Sequence, residues 1–270
     1  MLKNGNHNLS PRAATEPAVE LGLLADAVLR NGGEGEIVAA FQRSIYISLN
    51  GHLICVGSRT LGSGPLHVLC DRWLADRVRV GQSAAVAGHA LFVENAPLAD
   101  FEKASIWKPD PAPNWSLSSL TDGLKAADAI WRDTPGDHGL APLAGAPLSR
   151  SSLLIAAARP GSDALARMVE RGVRGGVDEP ANEAAIIDLI GMGPGLTPSG
   201  DDFLLGGLLA LDAVGLLAMR NILWDICRPH LDRTNAISRA HLETAALGYG
   251  AAALHAAIHA LIAGRTELLP

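Results

Sequence analysis

Aromatic residues are scarce in this chain of 270 residues: they make up 4% of it, whereas hydrophobic residues make up 48%. A core with so few rings must be packed mainly by small and aliphatic side chains. Charged residues account for only 19% of the sequence, which is not the composition of a disordered protein. The length is sufficient for one large domain or two smaller ones, each with a buried core.

Clusters of basic residues are missing, and the formal net charge is −6. A nucleic-acid-binding protein normally presents a basic patch to the phosphate backbone, so nucleic acid is not expected as the main partner. This argument does not apply to a small anion, which needs only a local group of hydrogen-bond donors. The composition therefore does not exclude a small anionic ligand.

Cysteines are few, and Cys55, Cys70 and Cys227 are far apart with no metal-ligand spacing. This usage favours a reducing compartment, so we predict a cytoplasmic protein. The N-terminal segment lacks the apolar stretch of a signal peptide. The most apolar segment, 203–219, is interrupted by Asp212 and is shorter than the roughly 20 residues of a membrane span. We therefore predict a buried helix there and no membrane association.

The N-terminal part of the chain has the pattern of a β-rich domain. Residues 1–17 are polar and are predicted to form a flexible tail. Helical spacing over 18–30 predicts one leading helix. Beyond it, alternating apolar residues flank Asn50–Gly51, a dipeptide typical of tight β-hairpins. We assign 18–110 to this N-terminal domain.

The rest of the chain, 111–270, is predicted to be a helical C-terminal domain, so the fold class is α+β. The proline-rich stretch 108–115 separates it from the strands. Long apolar periodicities predict helices at about 198–218, 219–230 and 234–263, the last with a break near Gly248–Gly250.

The segment "GMGPGLTPSGDD", residues 191–202, combines glycines, prolines and two adjacent aspartates before an apolar helix. Thr197 is a suitable N-cap with Pro198 in the first helical position. Alternatively, Ser199 and Asp202 form an acidic variant of the capping box. In both cases the first amide N–H groups of the helix lack intrahelical acceptors, and the helix dipole favours negative charge there.

A glycine-rich approach to a helix N-terminus allows a phosphate or carboxylate to reach those donors. The candidate substrate-binding residues of the loop are Gly193, Gly195, Leu196, Thr197, Ser199 and Gly200. Gly200 lowers helix propensity, which only a close backbone approach would offset. Asp201 and Asp202 are candidate catalytic residues. Either they satisfy the helix-end donors themselves, or one of them transfers a proton or holds Mg²⁺ beside a bound anion.

Two further polar pairs lie nearer the C-terminus. Asn235 and Ser238 are predicted to face the loop and help bind the substrate; alternatively, Asn235 caps a helix and Ser238 bonds to the preceding turn. His255 and His259 have the i, i+4 spacing of two metal ligands, but no third ligand is nearby in the sequence. A helix-face or subunit-contact role is therefore favoured for the histidines.

Read as a whole, "GMGPGLTPSGDDFLLGG" resembles the signature of a bacterial family that includes the AllH-type subunit of oxamate carbamoyltransferase. The stretches "AAFQRSIYISLNGHLICVGSRTLGSGPLHVL" and "TNAISRAHLETAALGYG" are similar to other parts of that family, so the resemblance covers roughly 35–265. A shorter stretch, "GDDFLLGGLLAL", also resembles the ribokinase-type signature, although the first half of the chain lacks its alternating βαβ pattern.

The family resemblance implies one subunit of a complex that converts oxalurate and phosphate to oxamate and carbamoyl phosphate in anaerobic purine or allantoin breakdown. It implies hetero-subunits as partners; a homo-oligomer is the alternative. The resemblance supplies no catalytic residues to carry over. Two other functions stay open: a non-catalytic structural or regulatory subunit that docks on a catalytic partner, and a small-molecule kinase.

Overall fold

The structure is a computed structural model that describes residues 16–72, 78–133, 139–144, 153–175, 182–265 and 267, with residues 131–133 described by their backbone alone. The predicted flexible tail falls outside these residues except for Glu16 and Pro17, which belong to the first strand.

The chain divides into two compact units, Met1–Trp107 and Lys108–Pro270. The described part of the first unit consists mainly of strands, and the described part of the second consists of helices. Each unit has its own cluster of buried aliphatic residues. The predicted α+β fold class, with a β-rich N-terminal part and a helical C-terminal part, is confirmed.

The N-terminal unit is a sheet that closes on itself. Its strands follow the order β5-β4-β3-β2-β6-β7-β8-β1, and β1 also pairs with β5; β9 adds to β1. Closure leaves few strand edges exposed, which limits edge-to-edge association. The elements are β1 (Glu16–Gly22), α1 (Leu23–Arg30), β2 (Gly33–Ala40), β3 (Ser44–Leu49), β4 (His52–Ser58), β5 (His67–Cys70), β6 (Ser83–Ala87), β7 (Ala90–Val93), β8 (Ala96–Asp100) and β9 (Ser105–Trp107).

The β3–β4 hairpin forms where the sequence predicted it. Asn50 and Gly51 have φ angles of 49° and 83°, the positive values that a two-residue type I′ turn requires. The alternating Ile45, Ile47 and Leu49 are fully buried in the core of the closed sheet.

The predicted helix over 18–30 is wrong in its first half. Residues Glu16–Gly22 form β1, and the helix begins only at Leu23. Helical spacing could not detect this strand, because its pairing with β5, β8 and β9 depends on residues far along the chain.

The helices of the C-terminal unit surround α5. This helix contacts α6, α7 and α8, and its leucines are buried on several sides (Leu204, Leu208, Leu209 and Leu211). A helix that is apolar all round belongs in the interior. The elements are α2 (Leu117–Asp133), α3 (Leu153–Val173), α4 (Glu183–Ile187), α5 (Ser199–Ala213), α6 (Leu217–Cys227), α7 (Ala236–Ala246) and α8 (Ala252–Ala263).

The helix boundaries agree with the predictions only in part. The segment predicted as 198–218 ends at Ala213, because Gly215 takes a left-handed φ of 78° before α6 begins. The predicted break in the last helix is present, since α7 ends at Ala246 and Gly248 has a φ of 83°. Within the described part of the chain, none of the helices combines the length and the apolarity needed to cross a bilayer.

Candidate functional site

The glycine-rich loop leads from the turn after α4 into the N-terminus of α5. The predicted cap is shifted by one residue: Pro198 occupies the N-cap position, and Ser199 is the first helical residue. Neither Thr197 as N-cap nor a capping box beginning at Ser199 is therefore correct. Proline offers no side-chain acceptor to the helix, so the cap leaves the first amide groups without a side-chain partner.

Two glycines of the loop are required by the packing of the protein itself. A Cβ atom on Gly200 would lie 2.0 Å from the carbonyl oxygen of Leu189, and one on Gly191 would lie 2.4 Å from the carbonyl oxygen of Arg233. The close backbone approach expected at Gly200 is thus made by the protein's own chain. The physical reason for Gly200 is tertiary packing.

The other two glycines have backbone conformations that favour glycine. Gly193 and Gly195 have φ angles of 110° and 107°, which residues with side chains rarely adopt. A Cβ on Gly193 would lie 3.0 Å from the amide nitrogen of Ser199, whereas a Cβ on Gly195 would have no atom within 4 Å. The missing side chain at Gly193 therefore allows the loop backbone to lie close to the start of α5.

Amide donors remain at this entrance. The N–H of Gly200 donates to the carbonyl of Met192 at 2.9 Å, and that of Asp202 donates to Pro198 at 3.1 Å. Among the described residues, no acceptor forms a hydrogen bond with the N–H of Ser199 or of Asp201. Unpaired N–H groups at a helix N-terminus attract anions.

Asp201 points into the protein, where it is 1% exposed. Its Oδ1 accepts a hydrogen bond from the N–H of Gly191 at 2.8 Å. Its Oδ2 accepts from the hydroxyls of Thr234 at 2.5 Å and Ser238 at 2.6 Å. The carboxylate thus joins the start of the loop to the start of α7, and both of its oxygens are used by the protein.

Asp202 is exposed, in contrast to its neighbour. Partial loss of solvent around its carboxyl raises the pKa from 3.8 to about 6; a hydrogen bond with Thr197 opposes this shift, and the nearby Asp201 adds to it. A carboxyl that exchanges its proton near neutral pH is suited to acid–base chemistry. The two aspartates that the sequence could not tell apart therefore have different environments.

We expect a carboxyl ¹³C NMR titration to place the pKa of Asp202 near 6. Since the folded state holds this proton more tightly than the unfolded state, the contribution of Asp202 to the free energy of unfolding falls as pH rises from 3.8 to about 6. Asp202→Asn removes this term, so urea unfolding should show the variant gaining stability relative to wild type across that window. Asp225→Asn, an exposed change on α6, serves as the control, and an equal pH dependence of the two variants would contradict the assignment.

The structure brings both predicted residues of α7 to the loop, in a way that combines the two alternatives. Asn235 caps α7: its Oδ1 accepts from the N–H groups of Ile237 and Ser238, each at 3.0 Å. Its Nδ2 also donates to the carbonyl of Leu196 at 2.8 Å. Ser238 is 2% exposed and donates to Asp201 instead of to the preceding turn.

Three contacts around the start of α5 were not predicted from the sequence. Thr234 joins the Asp201 network, and Met192 accepts from the helix start. Gly139, with a φ of 63°, lies beside Ser199; a Cβ there would be 3.3 Å from the Ser199 hydroxyl. The sequence around Gly139 carried no signal for this contact, because its proximity to Ser199 arises only from the tertiary fold.

His255 and His259 face each other with ring centroids 5.7 Å apart. Nε2 of His255 accepts the N–H of Gly250 at 3.0 Å, so this nitrogen is engaged near the start of α8. Burial lowers the pKa of both imidazoles. No group of three or more potential His, Cys, Asp or Glu metal ligands occurs among the described residues.

Comparison with protein families gives a match that includes the glycine-rich loop. Residues 189–269, which include the loop and α5 to α8, match the family described as oxamate carbamoyltransferase subunit AllH. Neither the curated proteins nor the solved structures contain a significant match to the chain. The predicted resemblance is therefore confirmed over residues 189–269, which are similar to the oxamate carbamoyltransferase subunit AllH.

Proposed function

We propose that this chain is a subunit of a carbamoyltransferase-type enzyme and that its glycine-rich loop binds the small anionic substrate. The family match supports the association with a carbamoyltransferase and with hetero-subunits. The observation that supports the site is the close approach of the side-chain-free Gly193 to the N–H of Ser199, which has no acceptor among the described residues. Phosphate, oxalurate and carbamoyl phosphate are the ligands to be considered, because each offers anionic oxygens to such donors.

Within this proposal, the loop amides fix the anion and Asp202 is the reactive carboxyl. Carbamoyl transfer develops negative charge on the carbonyl oxygen, and preorganised N–H donors that meet this charge commonly contribute several kcal/mol. Asp202 would accept or return a proton near neutral pH. The N–H of Asp201 contributes as a donor, whereas its carboxylate is engaged in the interior.

Mg²⁺ is the cation that fits this donor set. Mg²⁺ is commonly held by one or two carboxylates together with substrate phosphates. As an alternative to proton transfer, Asp202 alone would hold the ion, since both oxygens of Asp201 already accept protein hydrogen bonds. When bound, the ion would neutralise charge on the phosphate.

Thermal unfolding in the presence of phosphate, oxalurate or carbamoyl phosphate, with and without Mg²⁺, tests the proposal. A ligand at a hundredfold excess over its Kd stabilises the folded state by about 2.7 kcal/mol, which corresponds to a rise in Tm of roughly 5–10 °C for a unit of this size. We expect at least one of the three anions to give this rise. Gly193→Ala should abolish it, because the new methyl group would lie against the Ser199 amide.

Gly215→Ala is the matched control for this substitution. Gly215 has a similar left-handed φ of 78° and no neighbour within 4 Å of an added Cβ, but it lies beyond the far end of α5. It therefore shares the backbone strain without touching the site. If the ligand raised the Tm of both variants equally, the proposed site would be wrong. A rise in Tm with ATP alone would favour the kinase alternative.

A non-catalytic docking subunit is the second candidate, and the exposure of Leu196 favours it. This side chain is 39% exposed at the tip of the loop, where a partner subunit could bury it. In that case none of the three anions would change the Tm of the isolated chain. The chain would still be required for carbamoyl transfer by the reconstituted complex.

A further inference from the structure

We infer that Asn235 is a positioning residue that sets the geometry of the loop through Leu196, without contacting the ligand itself. The inference deepens the proposed function and rests on it for its binding consequence. The side-chain amide of Asn235 forms two kinds of hydrogen bond. The oxygen of that amide caps α7, and its nitrogen holds the loop.

The loop is attached to the protein on both sides of its tip. On the N-terminal side, Gly191 donates to the buried Asp201, and the carbonyl of Met192 accepts from Gly200. On the C-terminal side, the carbonyl of Leu196 accepts from Asn235 at 2.8 Å. Among the described residues, no hydrogen bond holds the backbone of 193–195 between these attachments.

This arrangement makes the Asn235–Leu196 bond the attachment nearest the tip on its C-terminal side, one residue before the hydrogen bond between Thr197 and Asp202. Leu196 is itself 39% exposed, so packing restrains its position only in part. Without the bond, residues 193–196 would have no hydrogen bond to the described residues before Thr197, which bonds to Asp202, and would have the freedom expected of a glycine-containing surface loop. The loop beside the Ser199 amide would then be mobile. An anion would have to order the loop on binding, and the entropy cost would weaken its affinity.

Asn235→Ser separates the two tasks of this side chain. Serine is about as good an N-cap as asparagine, so α7 should remain capped, but serine has no amide group to reach Leu196. Asn235→Ala removes both contacts. Asn182→Ser is the matched control, because Asn182 caps α4 by accepting from Ala185 at 3.3 Å, and none of its hydrogen bonds within the described residues holds the loop.

We expect the Tm of Asn235→Ser to remain within about 2 °C of wild type, since the cap is retained. The ¹⁵N order parameters of the Gly195 and Leu196 amides should fall from about 0.85, typical of rigid backbone, to below about 0.6. The apparent Kd for inorganic phosphate should rise about fivefold, because the anion would have to order the loop on binding. Asn182→Ser should change neither quantity.

Unchanged order parameters in Asn235→Ser would overturn the inference, and so would a mobile loop with wild-type affinity for phosphate. A wild-type chain that binds none of the three anions has a different meaning: the proposed function then fails, and with it the binding consequence. The order parameters would still decide whether Asn235 holds the loop. The two failures are therefore distinguishable.

Discussion

Asp201→Ala should lower the free energy of unfolding of the C-terminal unit by about 3–5 kcal/mol. The substitution leaves three donors without their acceptor: the N–H of Gly191 and the hydroxyls of Thr234 and Ser238. Hydrogen bonds to a charged acceptor contribute roughly 1.5–3 kcal/mol each, and an unsatisfied buried donor is costly. The total loss is smaller than the sum of these costs, because the surrounding residues relax in part and water can enter the cavity. Urea or thermal unfolding measures the change.

Asp201→Asn and Asp225→Ala are the comparisons for this variant. Asparagine keeps an oxygen that accepts hydrogen bonds, so Asp201→Asn should lose less stability than Asp201→Ala. Asp225 is 67% exposed on α6, and its removal should change stability by no more than about 0.5 kcal/mol. A loss below about 1 kcal/mol for Asp201→Ala would contradict a structural role for this carboxylate.

Gly200→Ala and Gly206→Ala should change stability in opposite directions, although both lie in α5. At Gly200 the new methyl group meets the Leu189 carbonyl oxygen at 2.0 Å and the Met192 Cβ at 3.0 Å. The first of these neighbours is backbone and cannot rotate away. We expect a loss of about 3 kcal/mol, at the upper end of the usual cost of overpacking.

At Gly206 an added Cβ has no neighbour within 4 Å. Alanine has the higher helix propensity, so Gly206→Ala should gain about 0.5–1 kcal/mol. Both variants replace glycine with alanine in α5, so the gain in helix propensity is similar in the two. The difference in their stability therefore measures tertiary packing. If Gly200→Ala were also stabilising, the approach of α5 to Leu189 would be wrong, and Gly200 would have to be explained by a ligand.

The fold class and the location of the loop could be predicted because their signals are local. Alternation of apolar residues around Asn50–Gly51 indicated the hairpin, and apolar periodicity indicated α5. The strand Glu16–Gly22 was missed for the opposite reason. Its sequence has helical spacing, and only pairing with strands distant in sequence determines its conformation.

By itself, the sequence determined that a helix begins near residue 199 after a glycine-rich turn, since backbone freedom and helix propensity depend on neighbouring residues. The tertiary structure decided which glycine is required for packing, and which aspartate is buried and which is exposed. Gly200 faces the Leu189 carbonyl, and Asp201 meets donors 10, 33 and 37 residues away along the chain. Asp202 remains exposed one residue later, because successive side chains of a helix point in different directions.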